Sequence, residues 1–174
     1  RVDYGAMPYF HSFWPSDNTD PLGRIKIQWG FSHFFPANTI SAHVTRMGKR
    51  HLKMAIDVAL SGAFGIDLAL DKATAEERAQ IADAVKLYKE RIRPLVMHGE
   101  LYRLVSPYES PLASLSYVST DKQKAVVYFY QTKDGNEPRV KLGGLDAHKK
   151  YRVEEVSQAK GVTSRFPANG KVFP

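Results

Sequence analysis

From Met7 to Pro94 the chain alternates short apolar runs with segments of helical period, and few folds tolerate that rhythm other than a parallel sheet covered by helices. Met7 to Trp14 is aromatic and apolar and stops at Pro15-Ser16-Asp17-Asn18-Thr19-Asp20-Pro21, which predicts a strand and then a turn. Asp20 can cap a helix that has Pro21 in its first turn. The crowding of Ile25, Ile27, Trp29, Phe31, Phe34 and Phe35 predicts that this helix is mostly buried and ends at Pro36. Thr39 to Val44 reads as a buried strand. Between Gly48 and Leu60 the apolar positions Leu52, Ala55, Ile56, Ala59 and Leu60 share one helical face. Phe64 to Leu70 predicts another short strand. Thr74 and Glu77 then form a capping box ahead of the stripe Ile81, Ala84, Val85, Tyr88 and Ile92, with Pro94 expected to kink or end that helix.

Beyond about residue 111 the texture changes. Ser114 to Ser119, Ala125 to Gln131, Arg139 to Leu142 and Tyr151 to Val156 are short β-type runs separated by turn signals such as Asp134-Gly135-Asn136 and Gly143-Gly144. They predict an antiparallel meander or sandwich. The prolines and serines between Ser106 and Pro111 suggest a boundary, so the expected division is an α/β part over residues 1–108 and an all-β part over 109–174. The tail from Lys160 to Pro174 lacks periodicity and is expected to dangle.

A formal charge of +7 raises the possibility of a nucleic-acid partner, but the basic residues are scattered. The densest groups, Arg46 to Lys53 and Lys149 to Arg152, lack the aromatic interleaving of a dedicated binder, so no nucleic-acid partner is expected. No apolar run approaches the ~18 residues needed to cross a bilayer, so no membrane partner is expected either. Zero cysteines exclude disulfides and thiolate metal sites. His33, His51 and His98 share no ligand spacing with His43, so no metal is expected, and no phosphate-cradling glycine loop appears, so no other cofactor is expected. The chain begins at Arg1 rather than Met and shows no secretion pattern. Its start is read as internal, processed or truncated, with a cytoplasmic location favoured.

The run Trp14-Pro15-Ser16-Asp17-Asn18-Thr19-Asp20 has two readings from its residues alone. One is a turn with a helix cap. The other is a sugar site, in which carboxyl groups move protons and an aromatic face stacks on a ring. Taken with Arg1-Val2-Asp3 and Arg24-Ile25-Lys26-Ile27-Gln28-Trp29-Gly30, the run resembles glycoside hydrolase family 36. Those are retaining α-galactosidases built on a (β/α)8 barrel with a C-terminal antiparallel β-sandwich. Ile40-Ser41-Ala42-His43-Val44 and Ser61-Gly62-Ala63-Phe64-Gly65-Ile66-Asp67-Leu68 are similar to the next two barrel strands of that family.

The resemblance implies that the chain holds the last strands and helices of the barrel plus much of the β domain. It implies that Asp17 is the general acid/base, with Trp14, Ser16, Arg1 and His43 as substrate-binding candidates. Trp14 has the alternative of a buried barrel aromatic, Arg1 that of an ion pair with Asp3 or Asp20, and His43 that of a hydrogen-bonded core residue. Arg24 is expected to anchor the Asp17 loop through Asp20. Retention of configuration needs a second carboxylate ~5–5.5 Å from the first. The family's nucleophile lies in a Lys-x-Asp context on an earlier strand, which this sequence lacks. The chain alone is therefore expected to be inactive. The implied partner is an α-galactoside oligosaccharide of the raffinose type, and the intact enzyme is expected to be a homo-oligomer. Two alternatives are a related α-N-acetylgalactosaminidase and a non-catalytic carbohydrate-binding domain. In the second, Tyr117, Tyr128, Phe129, Tyr130 and Tyr151 would form the sugar platform.

Overall fold

The computed structural model describes residues 3–45, 51–135, 139–158, 163 and 171–173. Its first half is built of parallel strands joined through helices. Phe13 forms a parallel bridge with Ile40, donating its N–H to the Thr39 carbonyl at 2.8 Å and accepting from Ser41 N–H at 2.9 Å. Helix α1 (Pro21–Phe31) crosses back to strand β1 (Ser41–Thr45). Helix α2 (Leu52–Ala59) then leads to strand β2 (Ala63–Asp67), which pairs parallel with β1 from Ser41↔Ala63 to Thr45↔Asp67. Gly62 permits the close approach here, because a Cβ at that position would lie 2.7 Å from the Ala42 Cβ. Helix α3 (Ala75–Leu87) opens with the expected capping box, Thr74 Oγ1 accepting from Glu77 N–H and Glu77 Oε2 from Thr74 N–H. Pro94 neither stops the helix nor leaves a gap in it. Having no N–H to give the preceding turn, it is accommodated by a π-helical turn, Tyr88–Ile92, in which Arg93 N–H reaches Tyr88 O. Helix α4 (Arg93–His98) follows directly.

The second half is antiparallel. Strands β3 (Glu100–Val105), β4 (Leu112–Val118) and β5 (Ala125–Gln131) form one sheet in that order, and β6 (Tyr151–Val153) pairs with β7 (Lys171–Phe173). The chain is thus α/β followed by all-β. The loop 106–111 connects β3 to β4 within the single sheet. Among the described residues no helix is long and apolar enough to cross a membrane.

Several local expectations are corrected. Met7 to Trp14 is not a strand apart from the Phe13 bridge. The Asp3 carboxylate caps a 3₁₀ turn over Tyr4–Ala6 instead, and Tyr9 and Phe10 are left exposed. Helix α1 stops at Phe31 rather than Pro36, and Phe34 lies outside the core at 69% exposure. Arg139 to Leu142 is irregular. The tail does not simply dangle, since 171–173 closes a ladder with β6. The tyrosines proposed as a sugar platform are mostly internal: Tyr117, Tyr128 and Tyr130 are at most 7% exposed, while Phe129 faces solvent. The start of the Gly48 helix and most of the tail lie outside the described residues.

What those tyrosines do instead explains how the two halves join. A helix C-terminus leaves carbonyls without partners, and α2 ends in the core with Ile56, Val58, Ala59 and Leu60 all buried. Tyr130 OH donates to Asp57 O at 3.1 Å, Tyr128 OH to Leu60 O at 2.8 Å, Tyr117 OH to Ser61 O at 2.8 Å, and Tyr88 OH to Gly62 O at 3.0 Å. Gln28 Nε2 and Ser61 Oγ both donate to Val58 O. Register explains the convergence, because Tyr117, Tyr128 and Tyr130 lie on the same face of β4 and β5, where Leu115 is opposite Tyr128 and Ala113 opposite Tyr130. Burial raises the ionisation of all three phenols well above the ordinary tyrosine value, so they stay protonated donors. A buried carbonyl left unpaired costs about 1–3 kcal/mol. Tyr128→Phe should therefore lower unfolding free energy in urea by about that amount, and an unchanged midpoint would show that Leu60 O finds another donor.

Candidate functional site

The loop after the Phe13 bridge lies at the C-terminal end of that strand position, where catalytic groups gather in parallel α/β barrels. Its shape is set by its own side chains. Ser16 Oγ accepts from Asn18 N–H at 3.1 Å and Asn18 Oδ1 from Asp20 N–H at 2.9 Å, two successive side-chain turns. Asp20 then caps α1 as expected, its Oδ2 accepting from Gly23 N–H at 2.8 Å with Pro21 in the first turn. The effect is to turn Asp17 outward at the crest of the loop, exposed.

Arg24 holds this loop to the sheet, though not through Asp20. Its guanidinium is buried at 4% exposure and donates to Ser16 O at 2.8 Å and Ser41 O at 3.1 Å, while Nη2 lies 3.4 Å from His43 Nδ1. Asp20 has its carboxylate committed to the helix cap, so the loop carbonyl of Ser16 takes the arginine instead. Burial without a paired carboxylate lowers the Arg24 pKa from its ordinary value. Gln28, one turn further along the same buried face, was not singled out by its sequence context. The signal available was a polar pair, Arg24 and Gln28, interrupting an apolar helical face at i, i+4 spacing.

Trp14, Asp17 and His43 come together. Trp14 Nε1–H donates to Asp17 Oδ1 at 2.9 Å, and the indole stacks on the His43 ring with centroids 3.5 Å apart and planes 18° apart. His43 is 9% exposed and stands behind the indole, with Nε2 buried and without a hydrogen-bond partner among the described residues. Ser16 serves the loop through its hydroxyl and its carbonyl. Arg1 lies outside the described residues. A cavity of about 10 Å³ beside Arg24, His43, Thr19 and Thr45 is far too small for a sugar ring.

The electrostatics of His43 have a measurable consequence. Burial first, and the Arg24 guanidinium second, lower its pKa from the ordinary value of 6.5. Above that value neither folded nor unfolded chain holds the proton, and the ring contributes nothing to pH dependence. As pH falls through it, the unfolded chain takes up a proton that the folded ring refuses, so stability is lost. Between about pH 7.5 and pH 5.5 the unfolding free energy should drop more for the natural chain than for His43→Phe. Equal drops would show that the ring is not held neutral.

Comparison with known proteins identifies the family. A family profile described as Melibiase matches residues 1–99, and one for the glycosyl hydrolase family 36 C-terminal domain matches 112–172. Alpha-galactosidase AgaA of Geobacillus stearothermophilus is 37% identical over 163 residues, 88% of this chain and 22% of the relative. Probable alpha-galactosidase C of Aspergillus terreus is 32% identical over 94% of this chain and 23% of its own. The crystal structure of an AgaA variant with 1-deoxygalactonojirimycin superposes with a TM-score of 0.82 at 35% identity, over 89% of this chain and 23% of that one. The alpha-galactosidase from Lactobacillus brevis gives 0.81 at 29% identity, over 99% of this chain and 24% of that one. The chain thus spans less than a quarter of the length of these relatives. Its fold corresponds to the C-terminal portion of the family's (β/α)8 barrel and the β domain that follows. The chain belongs to glycoside hydrolase family 36, the melibiase family.

Proposed function

We propose that this chain supplies the general acid/base of a retaining α-galactosidase, and that Asp17 is that group. The observation that carries the reading is the setting of Asp17: an exposed carboxyl at the C-terminal end of a parallel strand position, with Oδ1 held by an indole N–H. Its Oδ2 makes no hydrogen bond among the described residues and is the oxygen left to exchange a proton. In the first step Oδ2–H protonates the glycosidic oxygen as the bond to the galactosyl unit breaks. In the second the carboxylate takes a proton from the water that hydrolyses the galactosyl-enzyme. The nucleophilic carboxylate belongs to another segment of the intact enzyme, which acts on raffinose-type oligosaccharides as a homo-oligomer. Support for the substrate class comes from AgaA, whose crystal structures include complexes with raffinose and with stachyose. Within this reading the α/β part through α4 completes the barrel, and the antiparallel sheet that starts at β3 belongs to the β domain that braces it.

The test is a chimera. This chain replaces the matching segment of AgaA, and hydrolysis of p-nitrophenyl α-galactoside is followed. The chimera should turn over, Asp17→Asn should lower kcat/KM by about 10²–10⁴-fold, and the isolated 174-residue chain should show no turnover. Full activity in the Asp17→Asn chimera would remove Asp17 from the reaction.

A further inference from the structure

We propose that Trp14 is a positioning residue for Asp17, acting through its indole N–H, with the His43 ring as the plate that fixes the indole. The proposal rests on the acid/base reading of Asp17 and adds what holds that group in line. A platform for sugar needs only one free face of an indole, so what marks a positioning role is the commitment of the N–H. Here one face is covered by the His43 imidazole at 3.5 Å and the N–H is committed to Asp17 Oδ1 at 2.9 Å. Trp14 is still 46% exposed, so the arrangement does not result from burial.

The chemistry suits a group that must be an acid in one step and a base in the next. An indole N–H does not titrate in water, so it donates to Oδ1 whether Asp17 is protonated or ionised. Oδ1 is the acceptor in both states, which assigns the mobile proton to Oδ2 alone. That removes the choice between two equivalent oxygens and fixes the direction of proton transfer. The plate behind the indole is itself anchored. His43 is rooted in β1, and its Nδ1 faces the Arg24 guanidinium, which also binds Ser41 O of the same strand and Ser16 O of the Asp17 loop. Strand, helix and loop therefore close one circuit, and the carboxyl at its end cannot swing without breaking the Trp14 contact. Burial and Arg24 keep the imidazole neutral, the state that can lie flat under an indole without bringing a second buried cation beside Arg24.

Two measurements test this. In the 174-residue chain, the indole ¹⁵N–¹H resonance of Trp14 should move on Asp17→Asn and on His43→Ala, while that of Trp29 stays in place. A Trp14 resonance indifferent to both changes overturns the proposal. In the AgaA chimera, Trp14→Phe keeps a flat aromatic face and loses only the donor. It should lower kcat about tenfold with KM unchanged, the size expected from one hydrogen bond to a charged group. His43→Phe should recover most of what His43→Ala loses. Wild-type kcat in Trp14→Phe, or a raised KM with kcat intact in Trp14→Ala, would make Trp14 a sugar platform and sink the proposal. The Asp17→Asn chimera keeps the two claims apart. If it is inactive while Trp14→Phe is normal, the positioning role falls and the acid/base reading stands.

Discussion

The C-terminus of α2 ends inside the protein, and the carbonyls it leaves there must find donors. Tyr88 from the π-helical turn, Tyr117 from β4, and Tyr128 and Tyr130 from β5 meet that need, each with a hydroxyl on a different carbonyl between Asp57 and Gly62. The same side chains fill the space around the helix end with ring surface, Tyr128 packing edge-on to Tyr117 and face-to-face with Tyr130. Because the bonds from Tyr117, Tyr128 and Tyr130 run from phenols of the antiparallel sheet to the backbone of the parallel part, the sheet cannot slide without exposing several polar groups at once. This coupling makes the all-β half a brace for the strand and helix that carry the site.

Arg24 plays the corresponding part between β1 and the Asp17 loop. A buried guanidinium is expensive unless its donors are occupied, and here they reach backbone carbonyls of the loop and the strand together with an imidazole nitrogen, rather than a carboxylate. That choice leaves the acids of the loop free for other work. Asp20 caps α1 and Asp17 faces outward. A salt bridge from Arg24 to Asp17 would have stabilised the loop, but it would also have held the carboxylate ionised, against the acid/base role proposed for Asp17.

Features written in contiguous residues were legible before any coordinates. The capping box of Thr74 and Glu77, the Asp20 cap with Pro21, and the strands around Ala42 and Phe64 all rest on neighbours within a few positions. Met7 to Trp14 misled because its aromatic composition suits a strand, while the local Asp3 cap and Pro8 favoured a turn. Strand β3 escaped notice because it directly follows α4 with only Gly99 between them. The tyrosines of β4 and β5 were visible as aromatics, but whether a hydroxyl meets solvent, sugar or a helix end depends on what is packed opposite.

The amino-acid order alone settled the α/β-then-β succession, the capped starts of α1 and α3 and the placement of Asp17 in a turn after a strand position, because each depends on backbone preferences and capping within a turn or two of chain. The tertiary structure alone decided that Arg24 binds Ser16 O rather than Asp20, and that Trp14 lies on His43 with its N–H on Asp17. The Arg24–Ser16 and Trp14–His43 contacts span 8 and 29 residues, and which groups meet across such gaps is fixed only when the layers close and water is excluded.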